Sequence, residues 1–256
     1  MENYMVRLDR FNMKNNYFKA VKFKTKNNNY FIKQYNRKII VNKEVVNNRN
    51  IQNEFLMKDI KHPNLIEMID AIKVNEYTYM IYKYYNFPDL IDIYINPLSI
   101  LEIYFFNKNI IIQLLDVVSF LHSKNIVHRD IKMDNILYDE MRCKIYLCDF
   151  EYCSKYYEED DNIHITTAGT NKYLAPEIIN KQTNINHKKV DIWNLGIVFF
   201  IILSKGELLK ISEFLQPSIV KKYILENEYE FISKCLESNP LDRLEANELL
   251  ELEYLK

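Results

Sequence analysis

The hydrophobic pattern of this 256-residue chain changes period once, near Asn86-Phe87-Pro88, and that change limits the possible folds more than any other feature. Before it, residues 18–23 and 30–35 alternate apolar and polar positions on either side of Asn27-Asn28-Asn29, as the arms of a hairpin do. Residues 65–72 and 77–82 read as two more strands. Residues 50–60 carry Ile51, Phe55, Leu56 and Ile60 at helical spacing and stop at Lys61-His62-Pro63. Beyond the break the spacing is helical. Residues 103–122 place Ile110, Ile111, Leu114, Leu115, Val118 and Leu121 on one side, and residues 190–203 are apolar nearly all round, as a buried helix is. Helices over 229–236 and 245–254 close the chain. A small strand-rich part followed by a larger helical part predicts an α+β chain of two lobes.

Composition removes several function classes. With 34 basic and 35 acidic side chains the net charge is −1, which argues against sequence-independent binding of nucleic acid. A hydrophobic content of 48% excludes a disordered tail. Cys143, Cys148, Cys153 and Cys235 form no CxxC pair and complete no zinc-ligand spacing, so reduced thiols in an intracellular setting are expected. The longest apolar run, residues 197–203, is too short to span a bilayer, and Met1-Glu2-Asn3-Tyr4 opens no signal peptide. The expectation is an intracellular protein, cytoplasmic or nuclear, with neither a membrane nor a nucleic acid as partner.

The chemistry concentrates in the second part. His128-Arg129-Asp130-Ile131-Lys132-Met133-Asp134-Asn135 is followed by Asp149-Phe150-Glu151, by Ala175-Pro176-Glu177, and by Asp191-Ile192-Trp193-Asn194-Leu195-Gly196. In this order the motifs resemble the signature of the eukaryotic-type protein kinases: HRD-x-K-x-x-N, a DFG-like triplet, APE and DxWxxG. Tyr30-Phe31-Ile32-Lys33 stands where that family has VAIK, and Arg243 where it keeps a late arginine paired with the APE glutamate. The resemblance runs from about residue 12 to residue 252.

The resemblance implies one kinase domain over 1–256, with an N-lobe of 1–82, a hinge at 83–86 and a C-lobe of 87–256. The small lobe is expected to hold a five-stranded antiparallel sheet with one helix. Implied cofactors are ATP and Mg²⁺, and the implied reaction is transfer of the γ-phosphoryl group to a protein Ser or Thr. Asp130 is the implied base for the substrate hydroxyl, and Lys132 neutralises the transferring phosphate. Asn135 and Asp149 are the Mg²⁺ ligands, and Lys33 holds the α/β-phosphates. Tyr82, Lys83 and Tyr85 line the adenine pocket at the gatekeeper and hinge, with Leu137 as its floor. Lys132, two residues after Asp130, and Gly169-Thr170 favour Ser/Thr over Tyr. Asp89 and Asp134 occupy positions that basic-directed kinases fill with acids, or are simply solvated carboxylates. Arg129 implies an upstream kinase acting on Thr166, with Thr167 second. The acidic residues 158–161 are either a solvated tip or a partial mimic of that phosphate.

Four departures surround the nucleotide site. Residues 11–19 hold none of the chain's 3 glycines, although the family's phosphate loop is Gly-rich there. Phe31 replaces the alanine that roofs adenine. Glu151 replaces the DFG glycine, with its carboxylate either near the metal ligand or facing solvent. The helix partner of Lys33 is Asn53 by direct counting, or Glu54 if one residue is missing after the helix. These departures keep a second reading open, a pseudokinase that works by binding partners.

Overall fold

The hairpin expected at residues 18–35 forms, and it is the middle of a larger sheet. The computed structural model of the chain describes residues 9–11, 18–24, 29–41, 44–47, 49–95, 103–156 and 172–256. Residues 12–17, 158–161, Thr166, Thr167, Gly169 and Thr170 lie outside this set, so the expectations placed on them stay expectations. One compact unit holds the described parts of 1–61 and 65–86, and the other holds 62–64 and 87–256.

In the first unit, β1 (Asp9–Phe11), β2 (Phe18–Lys24) and β3 (Asn29–Asn36) are followed by a hairpin of β4 (Lys38–Val41) and β5 (Glu44–Asn47). Then come α1 (Arg49–Phe55), β6 (Met68–Val74) and β7 (Tyr77–Lys83). The main sheet has the order β1-β2-β3-β7-β6, antiparallel throughout. On β3 the buried Lys33 and Tyr35 alternate with more open neighbours, and the register sets Phe31 opposite Tyr82 and Lys33 opposite Met80. Phe31, Lys33, Tyr35, Met80 and Tyr82 therefore share one face of the sheet.

Two elements of this unit are shorter than the apolar spacing predicts. The helix expected over 50–60 ends at Phe55, because Leu56, Met57 and Lys58 turn back on the carbonyls three residues earlier (3.0–3.1 Å). Such tight turns end an α-helix well before the proline. The strand expected from residue 65 begins at Met68, and its register slips between Met68 and Asp70, a bulge that leaves Ile69 exposed.

The second unit contains α2 (Leu90–Ile95), α3 (Ile103–Ser123), β8 (Ile126–Val127), β9 (Ile136–Asp139), β10 (Lys144–Leu147), β11 (Ser154–Lys155) and α4 (Pro176–Ile179). It continues with α5 (His187–Leu203), α6 (Ile211–Phe214), α7 (Pro217–Val220), α8 (Glu226–Ser233) and α9 (Ala246–Leu250). His62–Asn64 joins this unit for a visible reason. The Asn64 amide donates to Gln113 Oε1 (2.6 Å) and the Ile145 carbonyl (3.0 Å), while its own carbonyl accepts from Leu147 N–H (2.8 Å). Each of the six apolar residues expected on one side of α3 is at most 1% exposed. α5 is buried along almost its whole length, and Gly196 is needed where it meets the chain after α8. A Cβ there would lie 2.8 Å from side-chain atoms of both Cys235 and Leu236.

Polar side chains displace the helix ends from those the apolar residues predict. α5 starts three residues early because the Asn186 side chain accepts from Lys188 N–H (3.0 Å) and Lys189 N–H (3.3 Å). α8 starts at Glu226, where Glu228 accepts from Leu225 N–H (2.8 Å), and ends at Ser233. The helix expected over 245–254 stops at Leu250, and a 3₁₀ turn covers Glu253–Leu255. Among the described residues no helix is long and apolar enough to cross a membrane.

Candidate active site

In the second unit a loop between β8 and β9 carries Asp130, Lys132 and Asn135, and a carboxylate from α5 shapes it. Asp191 is fully buried and accepts the backbone N–H groups of His128 (2.8 Å) and Arg129 (2.8 Å) together with His122 Nε2 (3.0 Å). Burial works against its charge, but the hydrogen bond and charge of His122, with His128, outweigh burial and hold its carboxyl below the usual range. This anchorage holds Arg129 at φ 69, a left-handed backbone that costs a non-glycine residue about 1 kcal/mol. His128 Nε2 lies 3.0 Å from the Cys148 carbonyl and Nδ1 accepts from Asp130 N–H (3.3 Å), so Nε2 is the ring nitrogen that carries a proton toward that carbonyl. The His128 ring packs on the buried Phe150, centroids 4.9 Å apart.

Three of the expected site residues meet at one oxygen. Lys132 Nζ is 2.8 Å from Asp130 Oδ2, and Asn135 Nδ2 donates to Asp130 Oδ2 (3.1 Å) and to its backbone carbonyl (2.8 Å). Burial lowers the Lys132 pKa, but Asp130, and behind it Asp134 and Asp149, override that and raise it, so the ammonium stays charged. Cys148 N–H donates to the Asn135 carbonyl (2.9 Å), which ties the segment before Asp149 to the loop. Asp149 itself sits at φ 63. With Nδ2 spent on Asp130, the amide oxygen is the Asn135 atom suited to a metal. Asn135 and Asp149 thus offer two hard oxygen donors, the kind Mg²⁺ takes alongside phosphate and water. Among the described residues no cluster of three His, Cys, Asp or Glu could hold a metal ion by itself.

Around this centre Asp89 is raised above its ordinary carboxylate value by burial and by the charges of Asp92 and Asp134. Tyr173 is buried and pushed up to about 12, by burial first and by the charges of Asp134 and Asp130. Glu177 and Arg243 form a buried two-point pair, Nη1–Oε1 2.6 Å and Nη2–Oε2 2.7 Å, with the guanidinium 5.0 Å from the Trp193 ring centroid. Leu137 lies on β9 opposite Tyr146 and bridges to Asp89. Glu151 is fully buried, which corrects the solvent-facing option left open for its carboxylate.

In the first unit the Asn53 or Glu54 question resolves to Glu54. Lys33 Nζ is 2.9 Å from Glu54 Oε1, and the two side chains are 5% and 0% exposed. The hydroxyls of Tyr35 and Tyr82 donate to the same carboxylate, Tyr35 to Oε2 and Tyr82 to Oε1. Sequence reasoning missed Tyr35. Its signal was its place two residues after Lys33 on an alternating strand, hence on the same face. Lys83 ends β7 with its N–H given to the Glu67 carbonyl (3.0 Å), so a backbone contact from Lys83 to a ligand uses its carbonyl. Its ammonium lies 5.8 Å from the Tyr85 ring centroid.

Comparison with known proteins agrees with these motifs. A model of the protein kinase domain matches residues 17–255. The serine/threonine-protein kinase chk-2 of Caenorhabditis elegans is 36% identical over 182 residues, which cover 68% of this chain and 37% of that protein. The phosphorylase b kinase gamma catalytic chain, liver/testis isoform, of Bos taurus is 29% identical over 209 residues, covering 74% of this chain and 50% of that one. This chain thus spans half or less of either relative. Among solved structures, Rad53 1–466 in complex with AMP-PNP aligns over 97% of this chain and 65% of its own, with a TM-score of 0.74 and 21% identity, a likeness of fold. The ordered motifs, the two units that carry them and a family match over nearly the full length lead to one assignment: the chain belongs to the protein kinase family.

Proposed function

We propose that the chain is a Ser/Thr protein kinase that transfers the γ-phosphoryl group of ATP to a protein hydroxyl. The observation that carries this reading is the convergence of Lys132 and Asn135 on Asp130 Oδ2, on a loop anchored by Asp191. MgATP, when bound, supplies the transferable group and the divalent charge that offsets its oxygens. Asp130 orients the acceptor hydroxyl and takes its proton at the carboxylate. Lys132 balances charge beside it, Asn135 and Asp149 offer oxygen ligands to the cation, and Lys33 holds phosphate oxygens. Tyr82, Lys83, Tyr85 and Leu137 contact adenine. The AMP-PNP in the Rad53 complex supports the nucleotide, while Lys132 and the names of the relatives support Ser/Thr. The Asp134 charge acting on Asp89 supports a substrate with a basic residue near the acceptor. Arg129 supports Thr166 as the acceptor for an upstream kinase.

The test is phosphoryl transfer from γ-labelled ATP with Mg²⁺ to Ser/Thr and Tyr peptides, with and without Asp130→Asn. The expected result is label on Ser or Thr that drops at least about 100-fold in the variant, with an unchanged melting curve. Label that persists in Asp130→Asn removes Asp130 from the role of base. The absence of any melting shift at millimolar MgATP sinks the enzyme reading and leaves the pseudokinase.

A further inference from the structure

Three donors converge on Glu54, and two of them belong to residues to which the phosphoryl-transfer reading gives no role at that carboxylate. Lys33 Nζ and the Tyr82 hydroxyl meet Oε1, and the Tyr35 hydroxyl meets Oε2. All four side chains lie in the first unit, and none is more than 5% exposed. Lys33 and Tyr35 come from β3 and Tyr82 from β7, so two paired strands reach α1 through one carboxylate. A phenylalanine at 35 or 82 would fill nearly the same volume. The hydroxyls add only a polar contact, and in a buried place that contact is costly unless it is used.

The helix needs such a fastening. α1 has seven residues, no acid in its first turn and no base in its last, so it lacks the length and the end charges that hold a helix by itself. We propose that Tyr35 and Tyr82 are positioning residues. Their hydroxyls fasten Glu54, and with it α1, so that the Lys33 ammonium is set for nucleotide phosphates before any ligand or partner arrives. The purpose of the arrangement rests on the phosphoryl-transfer reading, but the fastening itself does not. The Tyr82 phenol is raised well above its ordinary value by burial and by the Glu54 charge, so it remains a donor at every pH at which the chain works.

The experiment compares Tyr35→Phe, Tyr82→Phe and the double variant with Tyr79→Phe, a control on the opposite face of β7. The first readout is the rate at which sulfosuccinimidyl acetate modifies Lys33 in the nucleotide-free chain, followed by peptide mass spectrometry. Each single change is expected to raise that rate about tenfold, the worth of a hydrogen bond to a charged group, and the control to leave it unchanged. The second readout is steady-state kinetics, where kcat falls about tenfold while KM for MgATP stays within about threefold, since the Lys33 contact to the α/β-phosphates counts most as the γ-phosphoryl leaves and charge grows on the β-phosphate. If the double variant loses its circular dichroism spectrum, the single variants carry the measurement. An unchanged Lys33 rate in folded variants overturns the proposal, as does a rise in KM with kcat intact. A Lys33 rate that rises in a chain with no transferase activity upholds the fastening and sinks the kinase reading, so the two failures are distinguishable.

Discussion

Phe31 stands opposite Tyr82 with ring centroids 6.4 Å apart, on the same face of β3 as Lys33. The alternation of β3 made that placement readable from the sequence, since 31 and 33 share a parity. On the reading that adenine occupies this face, the ring takes volume from it. Phe31→Ala is expected to tighten MgATP about tenfold by calorimetry, at a cost of about 1–2 kcal/mol in urea unfolding because the ring is only half-buried. Looser binding in the variant would mean that the ring stacks on the base. The Lys33 partner was less legible. Counting back from His62-Pro63 selects Asn53, whereas the chain leaves the α-helix after Phe55 and it is Glu54 that meets Lys33. Nor did the sequence reveal that Tyr35 and Tyr82, 19 and 28 residues from Glu54, share its carboxylate, because hydroxyl direction leaves no trace in a pattern of apolar spacing.

At the scale of elements, the types of the long helices and four strands of the main sheet followed from periodicity, β1 and the β4–β5 hairpin did not, and the ends followed from individual polar contacts. α5 shows both. Its apolar core was evident in the sequence, yet its start depends on Asn186, and its last turn closes with Gly206 N–H on the Ile201 carbonyl (2.8 Å) and Lys205 N–H on the Ile202 carbonyl (3.4 Å). That pairing places Lys205 at φ 62, where glycine is the usual residue. Lys205→Gly is therefore expected to stabilise the chain by about 1 kcal/mol, measured as a higher urea midpoint at constant slope. The pair of Glu177 in α4 with Arg243, just beyond the 3₁₀ turn after α8, works in the other direction. Arg243→Met strands a buried carboxylate and should cost about 3–5 kcal/mol by the same measurement. A loss below about 1 kcal/mol would mean that water reaches Glu177 in the variant.

Across the molecule, the shortage of glycine is met by other residues. Eight described non-glycine residues adopt positive φ, among them Asn75, Asn125 and Asn184, and asparagine tolerates that backbone better than most. At these three positions asparagine serves the turn. Titration also acts on the whole fold. His187 opens α5 almost fully buried, and burial first, then the Arg129 charge, lower its pKa to about 4 from 6.5. Between those values the unfolded chain binds a proton that the folded chain refuses. Stability is therefore complete above pH 6.5 and declines as pH falls to about 4, by about 3 kcal/mol. Unfolding midpoints measured from pH 7 to 4 should show this slope, and His187→Gln should flatten it. Below that window the lowered Asp191 carboxyl begins to protonate and adds a further loss.

Asp191 grips its loop by the main-chain amides of His128 and Arg129. The His128 ring adds a second hold, on the Cys148 carbonyl and on the Asp130 N–H. A change at 191 releases both amides at once and derails the track on which Asp130 rides, whereas a change at 128 leaves those amides gripped and loosens only the second hold.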